Sequence, residues 1–253
     1  MGLIAWSGPA IASRCAAADG WTDIRVAGPF VCRADFRLDD LQPLFADLSQ
    51  LQNDLVESLQ IPRAEDYIEL YLFHNEWTYR QYLSQYLPRV PYRRALYLKS
   101  GGPGVVLAYR SRELEVDLRH ECTHALLHAA LPMVPLWLDE GLAEYFELRP
   151  AQRAYDNSYL PLVRWNCRWG IVPKMQSLEK KGDLAEMGVW EYRASWAWMH
   201  FCLHGPADAR NELIRFLDDI KHNSPPGQLS ERLARRIPDL DRCFVKHFLA
   251  WSR

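Results

Sequence analysis

The chain has 253 residues, of which 49% are hydrophobic and 25% are charged, and its formal net charge is -2. This is the composition of a globular protein with a sizeable core, and the near-zero charge gives no electrostatic footprint for nucleic acid, so binding of polyanions is not expected. No run of the sequence approaches the roughly eighteen uncharged apolar residues of a membrane-spanning helix.

Residues 1–20 are predicted to be a separate N-terminal segment, signal-like or disordered. They are mostly small and apolar, as in a secretory leader, but no Lys or Arg precedes Arg14. The six cysteines are spread singly, without a C-x-x-C pair, and are expected to be mostly buried thiols. Neither feature decides between a cytoplasmic and an exported protein.

The next part of the chain, residues 21–112, alternates β-rich runs with amphipathic helices. Strands are predicted at residues 24–26, 30–34, 67–73, 95–98 and 105–109, and helices at residues 39–59 and 75–87. In the first helix, apolar residues recur every three or four positions, so one face should cover a sheet. Asn75 is placed as the N-cap of the second helix. A Ser, Gly and Pro cluster at residues 100–104 predicts a turn.

The remaining part, residues 113–253, is predicted to be helical almost throughout. Breaks are expected at residues 131–135, 168–173, 205–206 and 223–227. Strands first and helices later predict an α+β fold, with a small mixed sheet followed by a mostly helical C-terminal lobe that carries the metal motif described next. Residues 21–253 are therefore expected to form one unit with two lobes.

A metal-binding motif stands at residues 120–124, which read His-Glu-Cys-Thr-His, the H-E-x-x-H pattern. The surrounding stretch lacks Gly and Pro and should be helical, so the two histidines lie on one face, about 6 Å apart along the axis. Their imidazoles can converge on one zinc ion. The pattern predicts His120 and His124 as ligands and Glu121 as the general base acting on a metal-bound water.

A third ligand is needed, and His128 is the first candidate because it continues the four-residue spacing. It would lie roughly 12 Å from His120 along the helix axis, which is too far for one ion. The metzincin pattern also fails, since Leu127 and Ala130 stand where Gly and His are required. His128 is therefore expected to be structural.

The better candidate is Glu140, within residues 137–145, which read WLDEGLAEY. A proline-containing turn precedes this segment, and an antiparallel return can bring the Glu140 carboxylate beside the two imidazoles. Gly141 costs about 1 kcal/mol against Ala inside a helix, so it predicts a close approach of two backbones there. Glu144, one turn beyond, is predicted to accept the other ring N–H of a ligating histidine, with Asp139 placed nearby.

The strings HECTH and WLDEGLAEYFE resemble those of the peptidase MA-like gluzincins, and more distantly those of the M1 aminopeptidases. The resemblance covers about residues 95–205. It implies a zincin-like fold, one zinc ion per chain, hydrolysis of peptide bonds and Glu140 as the third ligand. The M1 motif G-A-M-E-N is absent, because residues 104–108 read GVVLA, so specificity for a free amino terminus is not expected.

Two further site assignments follow. Residues 191–197 resemble the Y-x-x-G-x-A segment of the M1 enzymes, which implies that Tyr192 stabilises the oxyanion. The alternative is that Tyr192 caps or packs the start of its helix. The strand at residues 105–109 is expected to be a sheet edge on which an extended peptide adds. The residues expected to contact that peptide are Val105, Val106, Leu107 and Ala108.

Taken together, the motifs predict a zinc-dependent metallopeptidase acting on a peptide or protein substrate. The alternative is a noncatalytic module stabilised by zinc, which needs the same ligands but not Glu121. The sequence does not indicate an oligomeric state. The remaining histidines are expected to be structural: His74, His200, His204, His222 and His247.

Overall fold

The structure is a computed structural model that describes residues 4–5, 20–99 and 102–253. Most of the predicted N-terminal segment, and residues 100 and 101 of the predicted turn, lie outside these residues. The fold is α+β, as predicted, and the chain divides into two compact units. The first comprises residues 1–54 and 62–130, and the second comprises residues 55–61 and 131–253.

A mixed β-sheet forms the centre of the first unit. Its strands are β1 (Ile4–Ala5), β2 (Asp23–Ala27), β3 (Phe30–Ala34), β4 (Ile68–Phe73), β5 (Ala95–Lys99) and β6 (Val105–Tyr109). Their order across the sheet is β1-β5-β6-β4-β3-β2. Strands β3, β4 and β6 run parallel to one another, whereas β2 and β5 run antiparallel to β3 and β6. All five strands predicted from the sequence are confirmed.

Three α-helices accompany the sheet. They are α1 (Gln42–Leu59), which follows a 3₁₀ turn at Asp39–Leu41, α2 (Glu76–Tyr86) and α3 (Leu114–Ala130). The predicted N-cap is confirmed, since the Asn75 side chain accepts a hydrogen bond from the Thr78 backbone N–H at 3.0 Å. On the predicted apolar face of α1, Leu48, Leu51, Leu55 and Leu59 are buried, and Leu44 is partly exposed. The two helices expected in residues 21–112 are therefore both present.

The two faces of the sheet pack against different helices. Leu96 and Leu98 of β5 join a buried cluster that includes Tyr79, Tyr82 and Leu83 of α2. Because side chains alternate along a strand, the residue between those leucines, Tyr97, faces the other way, where α3 packs on β5 and β6. This packing places the H-E-x-x-H helix in the first unit, with the sheet, rather than in a lobe that starts at residue 113.

Strand β6 is an interior strand of the sheet, whereas the sequence predicts an edge strand. It is hydrogen-bonded to β4 on one side and to β5 on the other. A strand paired on both sides has no free backbone groups with which to add a peptide. Its first four side chains are also 0% exposed. The assignment of substrate binding is therefore wrong for Val105, Val106, Leu107 and Ala108.

The second unit is helical. Its helices are α4 (Leu136–Phe146), α5 (Pro150–Arg153), α6 (Leu160–Arg168), α7 (Met175–Leu178), α8 (Val189–His204), α9 (Ala207–Lys221), α10 (Leu229–Arg236) and α11 (Leu240–Ala250). The four predicted breaks each separate two helices of the chain. Helix α8 is central to this unit, because it packs against α4, α6, α7 and α9.

Two expectations from composition can be compared with the structure. Four of the cysteines are buried free thiols, namely Cys32, Cys122, Cys167 and Cys202. Among the described helices, none is both long enough and apolar enough to cross a bilayer.

Candidate metal centre

His120 and His124 lie one turn apart on α3, and both side chains are buried. Their Nε2 atoms face each other at 3.3 Å, and the two ring planes are inclined at 74°. Bonds of about 2.1 Å from two nitrogens so placed can meet at one ion. The convergence of two imidazoles on one helix face, which the spacing predicts, is therefore present.

Charged pairs on both sides of this face fix the rotation of α3 within the first unit. The buried Arg119 guanidinium donates a hydrogen bond to the Asp47 carboxylate of α1. Asp117 accepts a hydrogen bond of 2.8 Å from Arg94, which lies just before β5. Burial raises the pKa of the Asp117 carboxyl, and the Arg94 guanidinium opposes that rise. These contacts hold the helix against both α1 and the sheet, so the two histidines keep a fixed direction.

Glu121, between the two histidines, is buried. The Tyr79 phenol has a raised pKa, first because it is buried and second because of the Glu121 negative charge. Burial also raises the pKa of the adjacent Cys122 thiol, so this cysteine is not a thiolate at neutral pH. Among the described residues, the groups of side chains that could hold a metal ion do not include Cys122.

His128 contacts the sheet. Its ring stacks on that of Tyr97 with the centroids 5.8 Å apart, and its backbone carbonyl accepts a hydrogen bond from Lys99 Nζ. These contacts are those of a residue that packs helix α3 onto β5, which agrees with the structural role expected for His128.

Glu140 lies on α4 and is 0% exposed, and the neighbouring Asp139 is also buried. A Cβ added at Gly141 would lie 2.7 Å from the Ser195 carbonyl oxygen and 2.8 Å from Met199 Cγ of α8. Real Cβ atoms do not approach backbone so closely, so the glycine is required by the contact of α4 with α8. The close backbone approach predicted at Gly141 is confirmed, and it fixes α4 where it carries Glu140.

The histidine pair and Glu140 form a buried group that could hold a metal ion. All three side chains are buried, and they offer two imidazole nitrogens and one carboxylate to such an ion. Two imidazoles and one carboxylate are the protein ligands of many catalytic zinc sites, so the donor set fits zinc.

One residue near Glu144 is not found by sequence reasoning. The Tyr159 hydroxyl donates to Glu144 Oε1 at 3.5 Å. Burial raises the Tyr159 pKa, and the carboxylates of Glu144 and Glu147 raise it further. The loop that carries Tyr159 is tied to α4 by Asn157, whose Nδ2 donates to the Glu144 carbonyl. No motif surrounds Tyr159 in the sequence, and only the folded loop brings it to Glu144.

Tyr192 lies in the first turn of α8 and is half-buried. At the start of that helix the Gly188 backbone N–H donates a hydrogen bond of 3.0 Å to the Glu191 carboxylate. That Tyr192 caps or packs the start of α8 stays a prediction. Its role towards an oxyanion stays a prediction.

No protein-family model matches this chain, and no curated protein matches it. The resemblance to the gluzincins thus rests on its two motifs, and the function has to be argued from the residues of the site.

Proposed function

We propose that this protein is a zinc-dependent metallopeptidase in which His120, His124 and Glu140 hold one zinc ion. The observation that carries the proposal is the pair of Nε2 atoms facing each other at 3.3 Å in a buried site. The grouping of Glu140 with that pair supports it, because the carboxylate completes a ligand set that zinc prefers.

Zinc held by such ligands lowers the pKa of a water molecule to about 7 and polarises a substrate carbonyl. In the proposed reaction Glu121 takes a proton from the attacking water and then delivers it to the leaving nitrogen, serving first as base and then as acid. Tyr192 donates a hydrogen bond to the oxygen on which negative charge develops. The choice of peptide bonds as substrate is supported by the resemblance of the two motifs to MA-like gluzincins.

A second candidate function is that of a noncatalytic module stabilised by zinc. The observation that favours it is burial, since Glu121 is 1% exposed and Glu140 is 0% exposed. Structural zinc sites are closed, whereas catalytic sites keep a position open to water and substrate. The two functions differ in one respect that can be measured, because only the peptidase needs Glu121.

Metal analysis of purified variants tests the proposed ligands. The wild-type protein should hold one zinc ion per chain after dialysis, and His120→Ala, His124→Ala and Glu140→Ala should each lower zinc affinity by more than about 100-fold. His128→Ala is the matched control on the same helix and should keep its zinc. Full retention of zinc in Glu140→Ala would contradict the three-ligand site.

A further inference from the structure

A single aromatic ring of the sheet lies against two histidines of α3. Tyr97, the middle residue of β5, is 2% exposed. Its ring is nearly parallel to that of His124, with an interplanar angle of 13° and centroids 6.5 Å apart. It is also stacked on His128, at 26° and 5.8 Å. Such offset stacks fall within the range in which aromatic rings attract each other. The Tyr97 ring therefore runs along the helix face that carries the second proposed zinc ligand.

Gly104, just before β6, leaves the space that this ring needs. A Cβ at Gly104 would lie 2.8 Å from Tyr97 Cε2 and 3.2 Å from its hydroxyl oxygen. The backbone of Gly104 is not in the left-handed region, so its own conformation does not demand glycine. Its carbonyl accepts a hydrogen bond of 2.9 Å from the Glu69 backbone N–H, which ties this position to β4. The Tyr97 ring is thus confined between a fixed backbone and the helix.

A third contact sets the separation between strand and helix. Lys99, two residues beyond Tyr97 on the same face of β5, donates from Nζ to the His128 backbone carbonyl. This bond holds the end of β5 against the last turn of α3. The Tyr97 ring therefore has no room to move away from His124 without breaking a contact of the strand with the helix.

From this arrangement we propose that Tyr97 is a positioning residue for His124. The χ2 torsion of a histidine is broad, so a free imidazole samples orientations in which Nε2 does not point at the metal. A confined ring nearly parallel to the imidazole excludes most of those orientations and keeps Nε2 directed at His120 Nε2. The hydroxyl of Tyr97 has no part in this role. The inference rests on the proposed binding of zinc by His124.

Zinc affinity, measured by competition with a chromophoric chelator, tests the role of the ring. Tyr97→Phe keeps the ring and should bind zinc within about 3-fold of wild type. Tyr97→Leu removes the ring and should weaken binding by about 10- to 100-fold, the range found when groups that orient metal ligands are lost. Gly104→Ala keeps Tyr97 but displaces its ring, so this variant should also bind zinc more weakly than wild type. Tyr67→Leu, an exposed tyrosine of the same unit, is the control and should change nothing.

The outcomes separate this inference from the proposed function. A wild-type protein that binds no zinc would contradict the proposed function. Wild-type binding with equal affinity in Tyr97→Leu would overturn only the role of Tyr97. Circular dichroism of each variant shows whether it is folded. If Tyr97→Leu does not fold, the contact is tested instead by nuclear Overhauser effects between the Tyr97 and His124 rings of the metal-free wild-type protein. Their absence would overturn the inference.

Discussion

Gly141 stands where the second unit has no space for a side chain, although it occupies the interior of a helix. On helix propensity alone, alanine would stabilise this position by about 1 kcal/mol. The structure opposes that gain, because the added Cβ would meet the Ser195 carbonyl at 2.7 Å. The atom it meets belongs to the backbone of α8, which cannot move aside as a flexible side chain can. The packing requirement therefore outweighs the propensity of the residue.

Gly141→Ala should accordingly lower the free energy of unfolding by about 1–3 kcal/mol, the usual cost of overpacking. It should also weaken zinc binding, because α4 has to shift and Glu140 shifts with it. Urea denaturation and metal analysis measure the two effects. Gly182→Ala is the matched control, since a Cβ at Gly182 meets nothing within 4 Å and should change stability by less than about 0.5 kcal/mol. A stabilised Gly141→Ala protein would contradict the close packing.

At the scale of the elements, the sequence predicts what local spacing decides. The four-residue separation of His120 and His124 fixes them on one helix face whatever the rest of the chain does. The Asn75 cap is local in the same way, since its partner Thr78 is three residues away. These features could be predicted because no distant residue takes part in them.

The prediction that β6 is an edge strand is wrong because the position of a strand in a sheet depends on residues far away in the sequence. An apolar run such as residues 105–109 predicts a buried strand, but the neighbours of that strand are chosen by pairing across the chain. β6 pairs with β4, which lies more than thirty residues earlier, and this pairing makes it an interior strand. The contacts of Tyr159 with Glu144 and of Tyr97 with His124 are likewise produced by folding and have no signature in the sequence.

A cluster of histidines in the second unit is a further non-local feature. His200 Nε2 lies 3.0 Å from the Ala154 carbonyl oxygen, so this nitrogen carries the proton. His200 Nδ1 is then free to accept from His247 Nε2, which lies 3.0 Å away. His204 Nε2 lies 2.6 Å from the Tyr145 hydroxyl. The three histidines are expected from the sequence to be structural, and their contacts connect α4, α8 and α11.

For the whole molecule, this cluster makes stability depend on pH. Burial is the main cause that lowers the pKa of His200 to about 3 and those of His204 and His247 to about 4. For His200 the hydrogen bond to the Ala154 carbonyl opposes this lowering of the pKa, whereas His204, His247 and Arg164 add to it. For His204 the positive charge of Arg210 lowers the pKa further. In the unfolded chain each histidine titrates near 6.5. The unfolded state therefore binds more protons below that pH, and the stability present above it is lost as the pH falls towards 4.

The free energy of unfolding should thus decrease between pH 7 and pH 5, by up to about 1.4 kcal/mol per pH unit for each histidine kept neutral. Urea denaturation at a series of pH values measures this slope. His247→Gln should be less stable than wild type at pH 7 but should show a smaller slope. His222→Gln, at an exposed position, is the control and should keep the wild-type slope. Equal wild-type stability at pH 5 and pH 7 would contradict a buried neutral cluster.

We propose that the molecule hydrolyses peptide bonds with zinc and Glu121. The most direct measurement compares zinc-loaded wild type and zinc-loaded Glu121→Gln for cleavage of a peptide library, with zinc content determined on the same samples. We expect equal zinc content and a turnover lower by about two to four orders of magnitude in the variant, because the general base is lost while the ligands remain. Equal cleavage by both proteins, or no cleavage by a zinc-loaded wild-type protein, would contradict it.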